Sequence, residues 1–264
     1  MATATLTQKQ IKKETTIPTS IIPQKMNLRI RVLHAMDYPE IAQECQAKHT
    51  KVLEEFGLAK DIDSSKSKWW ENSCSYLFIV EDMDTEVNNI TGFREVGASM
   101  RLDKVDDSHS IPVESAIPSI TSRVHEYNYI LGELCGLWVD KKFSERRLAT
   151  HLFRSVIVFS SKLGIKNLLA MPPKHTKVFF DSLGFQVVDD IGNHGEINYP
   201  PKTNYVSTLM QIEDSSNLDT LPQEEKEFIL WLRSHPKQFF SEEYKNEKTG
   251  ITRETNIIYD LRMM

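Results

Sequence analysis

The stretch from residue 131 to residue 188 constrains this chain most, because its hydrophobic period changes repeatedly within one short segment. Residues 131–140 read as a strand. A stripe of Leu148, Leu152, Val156, Phe159 and Leu163 then recurs at helical spacing, giving a helix of about five turns that Gly164 ends. Residues 167–171 form a second short apolar strand, stopped by Pro172 and Pro173. Residues 174–182 return to a helix before Gly184, and residues 185–188 read as a third strand. A strand–helix–strand–helix–strand order of this kind calls for an α/β domain with helices packed on a sheet.

The flanking sequence supplies further strands. In residues 28–33 (LRIRVL) apolar and basic residues alternate, and Pro39 then opens a helix whose Ile41, Cys45, Val52 and Phe56 share a face, with Gly57 as its stop. Residues 76–81 and 91–102 are strand candidates joined by an Asp/Asn-rich connection. Around Trp69 and Trp70 a loop or short helix covers an apolar edge, and the connection SIPVESAIP carries two prolines that resist a ladder. After residue 188 comes a Gly-, Asn- and Pro-rich excursion, residues 191–204, long for an idle loop, and then a strand at 205–212. This gives three regions: a disordered tail over residues 1–25, a main domain over 26–213, and a linker with a helical C-terminal appendage over 214–264. The appendage's helix spans 222–234, with Phe228, Ile229, Trp231 and Leu232 on its apolar side.

Composition narrows the function classes. With 264 residues, 40% of them hydrophobic, the chain can bury a sizeable core. A formal net charge of −5 argues against a nucleic-acid partner or a global attraction to anionic membranes. No run of eighteen apolar residues spans a membrane, and the N-terminal residues lack a signal peptide's apolar run. Three cysteines without metal-ligand spacing favour a reducing compartment, so a cytoplasmic location is expected.

The string LGELCGLWVDKKFSERRLATHLFRSVIVFSSKLGIKNLLAMPPKHTKVFFDSLGF resembles the core of the GNAT superfamily of acyltransferases. There a strand reading roughly "LxV" leads into a phosphate-binding turn and a long helix, and an aromatic pair with "LGF" closes the unit. Phe179, Phe180, Leu183, Gly184 and Phe185 stand in those last places. The superfamily turn has Arg or Gln, two residues, Gly, one residue, then Gly or Ala; here Ser144, Arg147 and Ala149 occupy those positions. Only Ala149 fits, and Glu145 in the first turn would repel a phosphate. The branch of acyl-homoserine-lactone and N-acyl amino acid synthases lacks this glycine turn and is similar in other places. Its "GxxRL" strand, "lP" connection and "ELSR…VD" strand correspond to Gly97–Leu102 with Arg101, Ile111-Pro112, and Glu133-Leu134-Cys135-Gly136 with Val139-Asp140. Gly136 stands where the branch has arginine.

This resemblance implies a mixed, mostly antiparallel sheet flanked by helices, with one splayed parallel strand pair, residues 131–139 beside 167–171. Unpaired backbone groups in the splay would receive the pantetheine arm of a thioester. Leu137, Trp138 and Val139, with Arg146, Arg147, Ala149 and Phe180, are the implied donor-binding residues, an N–H near 137–139 polarising the thioester carbonyl. Glu133 is the candidate general base, with Arg101 beside it; the alternative is a structural pair between the two. The superfamily often has at position 180 a tyrosine that protonates the leaving thiolate, and Phe180 cannot. Cys135 shares the strand face of Glu133 and is either inert packing or a thiol nucleophile. His151 and His175 lie on predicted helices with no metal constellation, which suggests surface or capping roles and no metal. Lys141, Lys142 and Arg147 form a local basic patch in an acidic chain, either a solvated helix start or a docking point for acyl-carrier protein.

The expected activity is therefore transfer of an acyl group from acyl-CoA or an acyl-carrier-protein thioester to the amine of an amino acid or similar small molecule. A conventional acetyl-CoA-dependent N-acetyltransferase and a catalytically silent GNAT-like binding module are the rivals.

Overall fold

The computed structural model describes residues 24–55, 57, 68–105, 110–120, 124, 130–199 and 205–263. The tail expected over residues 1–25 therefore lies almost wholly outside the described residues. The strands are β1 (Lys25–His34), β2 (Ser75–Asp82), β3 (Val96–Lys104), β4 (Leu131–Val139), β5 (Asn167–Ala170), β6 (Gln186–Val187), β7 (Glu196–Asn198), β8 (Val206–Thr208), β9 (Met210–Ile212), β10 (Lys237–Lys245) and β11 (Thr252–Asp260). The helices are α1 (Pro39–Glu55), α2 (Pro112–Ala116), α3 (Leu148–Lys162), α4 (Lys177–Ser182) and α5 (Gln223–Ser234). Nine strands form one sheet in the order β10-β11-β1-β2-β3-β4-β5-β9-β6, and β7 pairs with β8 in a small second sheet.

Helix α3 sets the architecture. Twelve of its fifteen residues are buried, which a helix with only one covered face does not achieve. It lies between the sheet, where it meets β2, β3 and β4, and helix α5. Its end is a Schellman motif: Gly164 at φ 70° lets Ile165 N–H reach the Ser160 carbonyl at 3.0 Å and its own N–H reach Ser161 at 3.3 Å. Ile165 then joins the core on this side of the sheet, with Leu28, Ile30, Phe78, Met100, Leu152, Phe153 and Ile257. The opposite face carries two smaller apolar clusters, one under α1 and one under α2. Gly97 in β3 is required by packing: a Cβ there would sit 2.3 Å from the ring of Phe143, which follows β4 and folds back over the strand.

The expected mixed, mostly antiparallel sheet with helices against it is found, and β1 adds a second parallel pairing with β11, Lys25 to Arg31 against Glu254 to Asp260. Two expectations change. The C-terminal appendage is helical only in α5; residues 237–260 form an antiparallel hairpin that extends the main sheet at its edge. Its period-2 burial, with Arg253, Thr255, Ile257 and Tyr259 inward, was the signal for a strand. The strand expected over 205–212 is broken at Leu209, where the chain leaves its pairing with β7 and joins β5 and β6.

Candidate active site

The parallel pair β4–β5 is laddered only from Leu131↔Asn167 to Leu134↔Ala170. Strand β4 continues to Val139 with β3 on one side and no β5 partner on the other, because β5 stops before Met171, Pro172 and Pro173. On the β3 side the register slips: Cys135 faces Arg101 but Trp138 faces Ser99, leaving Gly136 and Leu137 in a bulge. Gly136 makes the bulge at φ 62°, a conformation glycine enters without steric cost. The splay and the bulge coincide, so β4 beyond Leu134 has no ladder partner in β5.

Glu133 and Cys135 of β4 share one sheet face with Arg101 and Asp103 of β3. Glu133 is 1% exposed, and its Oε2 accepts the backbone N–H of Val113 at 2.8 Å, at the start of α2. That short helix is shaped by Pro112 in its first position and by Glu114, whose Oε2 reaches back to Ile111 N–H at 2.8 Å. Burial pushes the Glu133 carboxyl up from its ordinary 4.5 to about 8; the Val113 bond opposes the shift and nearby Asp103 adds to it. The alternative of a direct Glu133–Arg101 pair is not found. Arg101 Nε pairs with Asp103 Oδ2 at 2.9 Å, and Asp103 Oδ1 accepts from Ser75 Oγ at 2.6 Å. Burial works against the Arg101 charge, but Asp103, Cys135 and Glu133 outweigh it and raise the guanidinium pKa further.

Sequence reasoning missed four residues here. Asp103 is the true partner of Arg101. Trp69 is buried, its ring 4.8 Å beneath the Arg101 guanidinium and its Nε1 bonded to Gln46 at 2.8 Å. His49 of α1 is held neutral, its pKa lowered to about 4 by burial and by the Arg101 charge. Tyr199, in the long excursion after residue 188, has its phenol pushed up to about 12 by burial and then by Glu133 and Cys135. The length of that excursion was the one signal for Tyr199; Asp103 was readable as the residue two beyond Arg101 on the same strand face.

Cys135 lies among polar groups. Its Sγ accepts from Arg101 Nε at 3.1 Å and lies 3.4 Å from Asp103 Oδ2, and burial raises its pKa well above the ordinary thiol value, so the thiol keeps its proton. Of the implied donor residues, Leu137 and Val139 pack against the α3 side of the sheet and Trp138 against the α1 side. The Trp138 indole N–H is buried without a hydrogen-bond partner among the described residues. Phe180 is 7% exposed and packs edge-on against Phe153 and Phe185, with centroids 4.7 and 5.3 Å away, which makes it a core aromatic.

The turn before α3 keeps a glycine-like conformation without glycine. Glu145 and Arg147 have φ of 61° and 52°, and Ala149 is half-buried in the first helical turn. The C-terminal hairpin holds this turn in place. Arg146 is 1% exposed and donates to the Glu254 carbonyl at 2.7 Å and Thr255 Oγ1 at 3.1 Å, so it is committed to β11 rather than open to a donor. Glu145 binds Asn246 at 2.7 Å and Arg253 at 3.1 Å. His151, expected at the surface, is buried between Tyr259 OH at 2.5 Å and Glu242 at 2.6 Å, while His175 is exposed in a turn ahead of α4. The basic residues Lys141, Lys142 and Arg147 are each near carboxylates: Glu55 at 2.7 Å, Glu95 at 2.6 Å and Glu242 at 3.8 Å respectively.

The splayed parallel pair, the bulge at the splay and the long buried helix across the sheet belong to a fold found among solved structures. Among solved structures, FeeM, an N-acyl amino acid synthase from uncultured soil microbes, matches at a TM-score of 0.56, covering 75% of this chain and 97% of its own at 15% identity. BjaI, a CoA-dependent acyl-homoserine lactone synthase, matches at 0.49, covering 79% and 90% at 14% identity. No protein-family profile and no curated protein sequence matches the chain. Among the described residues no helix is long and apolar enough to cross a membrane.

Proposed function

We propose that this chain is an N-acyltransferase that moves an acyl group from a thioester, acyl-CoA or acyl-carrier protein, to the amine of an amino acid or similar small molecule. The observation that carries this reading is the buried Glu133, with a carboxyl pKa near 8, on the strand whose ladder opens one residue further on. The amine nitrogen attacks the thioester carbonyl, whose oxygen accepts from a β4 backbone N–H at the bulge. Glu133 removes the proton that the nitrogen must lose, the C–S bond breaks, and the same carboxyl returns that proton to the departing thiolate. A pKa near 8 suits both transfers, because an ordinary thiol titrates at about 8.5. One group thus replaces the tyrosine that Phe180 is not, whereas Tyr199, at about 12, is too weak an acid to give a thiolate its proton but can donate a hydrogen bond.

The test is thiol release from acyl-CoA and acyl-carrier-protein donors of graded chain length, in the presence of a panel of L-amino acids and simple amines, with the acylated product identified by mass spectrometry. Amine-dependent thiol release with matching N-acyl product is the expected result. Donor binding without turnover on any amine would favour a silent binding module instead. Turnover confined to acetyl-CoA would favour the conventional N-acetyltransferase.

A further inference from the structure

We propose that strand β10 is where two copies of this chain pair edge to edge, so that the protein is a homodimer whose main sheet runs through both copies. The assignment stands apart from the acyl-transfer reading and rests on the C-terminal hairpin. The two ends of the nine-stranded sheet differ. At one end β6 is two residues long, while β10 at the other runs nine residues, Lys237–Lys245, in unbroken register with β11 and without a proline. A short edge resists pairing with another chain, and a long regular one is a template for it. The ladder shows which backbone groups point outward. Asn246 N–H donates to the Ile251 carbonyl at 2.9 Å and Leu261 N–H to the Pro236 carbonyl at 2.8 Å, so the even-numbered residues of β10 bond to β11. The N–H and C=O groups of Lys237, Phe239, Ser241, Glu243 and Lys245 therefore face away from the sheet, with no partner strand among the described residues.

The side chains name the occupant. Phe240 packs against Phe228 of α5 at 5.0 Å, whereas Phe239, on the opposite face, is 61% exposed beside half-buried Ile258. The charges of β10 are poorly met within the hairpin. Glu243 stands opposite Glu254, a like charge that weakens the pair. Lys237 stands opposite Asp260, whose carboxylate is already held by Arg262 at 2.7 and 2.9 Å. A second copy supplies what each lacks. In a two-fold antiparallel pairing centred on Phe240, Lys237 lies opposite the partner's Glu243, and Phe239 opposite the partner's Ser241. That register joins the outward-facing residues to one another, giving roughly eight backbone hydrogen bonds. It also sets the two Phe240 rings opposite each other and brings the two Phe239 rings within diagonal reach. Neighbouring registers are worse. Centring on Ser241 puts Lys237 opposite the partner's Lys245, centring on Glu242 puts that carboxylate against itself, and centring on Phe239 leaves Glu243 beyond the end of the partner's strand.

Sedimentation velocity of the full-length protein, from submicromolar to submillimolar concentration, reads the association. Wild type should pass from monomer to dimer with a micromolar dissociation constant, as suits a small sheet-edge interface. Lys237→Glu and Glu243→Lys should each weaken self-association by about tenfold or more, since each sets like charges opposite one another twice. Mixing the two variants should restore the dimer, because each then meets the opposite charge in its partner. Ser241→Pro removes an outward N–H without touching the ladder to β11, and should weaken the dimer as well. A wild type that stays monomeric throughout overturns the proposal. So does a dimer that none of the three substitutions weakens, because it uses another surface, and so does failure of the mixed variants to associate. If one charge variant does not fold by circular dichroism, the other and Ser241→Pro decide on the same criterion.

Discussion

Replacing Glu133 with glutamine separates its chemical role from its structural one. The side chain is fully buried and accepts the Val113 N–H at 2.8 Å, a bond the amide oxygen of glutamine can keep in nearly the same shape. The amide cannot take a proton. If Glu133 is the base, kcat/KM should fall by about 10²–10⁴-fold. The pH profile gives a second readout: wild-type kcat/KM should rise about tenfold per pH unit up to a plateau above about pH 8, as the carboxyl loses its proton, and the variant should lack that limb. Stability moves the other way. The folded pKa of Glu133 is raised, so the stability contributed by its protonated form is complete below about 4.5 and is lost as pH rises through about 8. Each unit of that displacement is worth about 1.4 kcal/mol, so wild type carries a penalty of a few kcal/mol at pH 9 that glutamine does not. At roughly 2–4 °C per kcal/mol, the variant should melt several degrees above wild type at pH 9, with the gap closing towards pH 4. Steady-state kinetics and thermal melts across pH 4–9 measure both. A variant that keeps wild-type turnover, or that loses activity and stability together at every pH, would refute the reasoning.

Tyr199→Phe should lower kcat by less than about tenfold and leave the pH profile unmoved, because the loss is one hydrogen bond and not the proton donor; a thousandfold loss would return the acid role to the phenol. Gly97→Ala should destabilise by about 1–3 kcal/mol, seen as a lower urea midpoint, since the new methyl group would meet the Phe143 ring at 2.3 Å; an unchanged midpoint would mean that Phe143 turns aside freely. Reversing Lys142 and Arg147 to Glu should raise KM for an acyl-carrier-protein donor in a salt-dependent way and leave a free pantetheine thioester nearly unaffected. Both cations already face carboxylates, Glu95 and Glu242, so equal carrier kinetics before and after reversal would show that these residues only hold the fold.

The residues that carry local periodicity determined much of this protein on their own. The stripe from Leu148 to Leu163 with Gly164 behind it specified α3 and its end, and the short apolar run at 167–170, stopped by two prolines, specified a strand too brief to follow β4 to its tip. The splay and Glu133 beside it were expected from the family resemblance, and the shortness of β5 is the physical reason the ladder stops at Leu134. What the sequence could not determine is who meets whom across the sheet. Arg101 was visible, but its partner Asp103, the Trp69 shelf and neutral His49 come from β3, a short turn and α1, brought together only by strand register and by the burial of α1 on that face. The C-terminal hairpin shows the same limit at the other end of the chain. Its alternation was present in residues 252–260, yet only pairing with β1 more than 220 residues away could assign it to the main sheet, where β11 captures Arg146 and anchors the turn before α3. Local pattern fixes which elements form, because it depends on neighbours three or four residues apart. Charge partners and pKa shifts depend on groups distant in sequence and on the water excluded between them, and those arise only when the chain has folded.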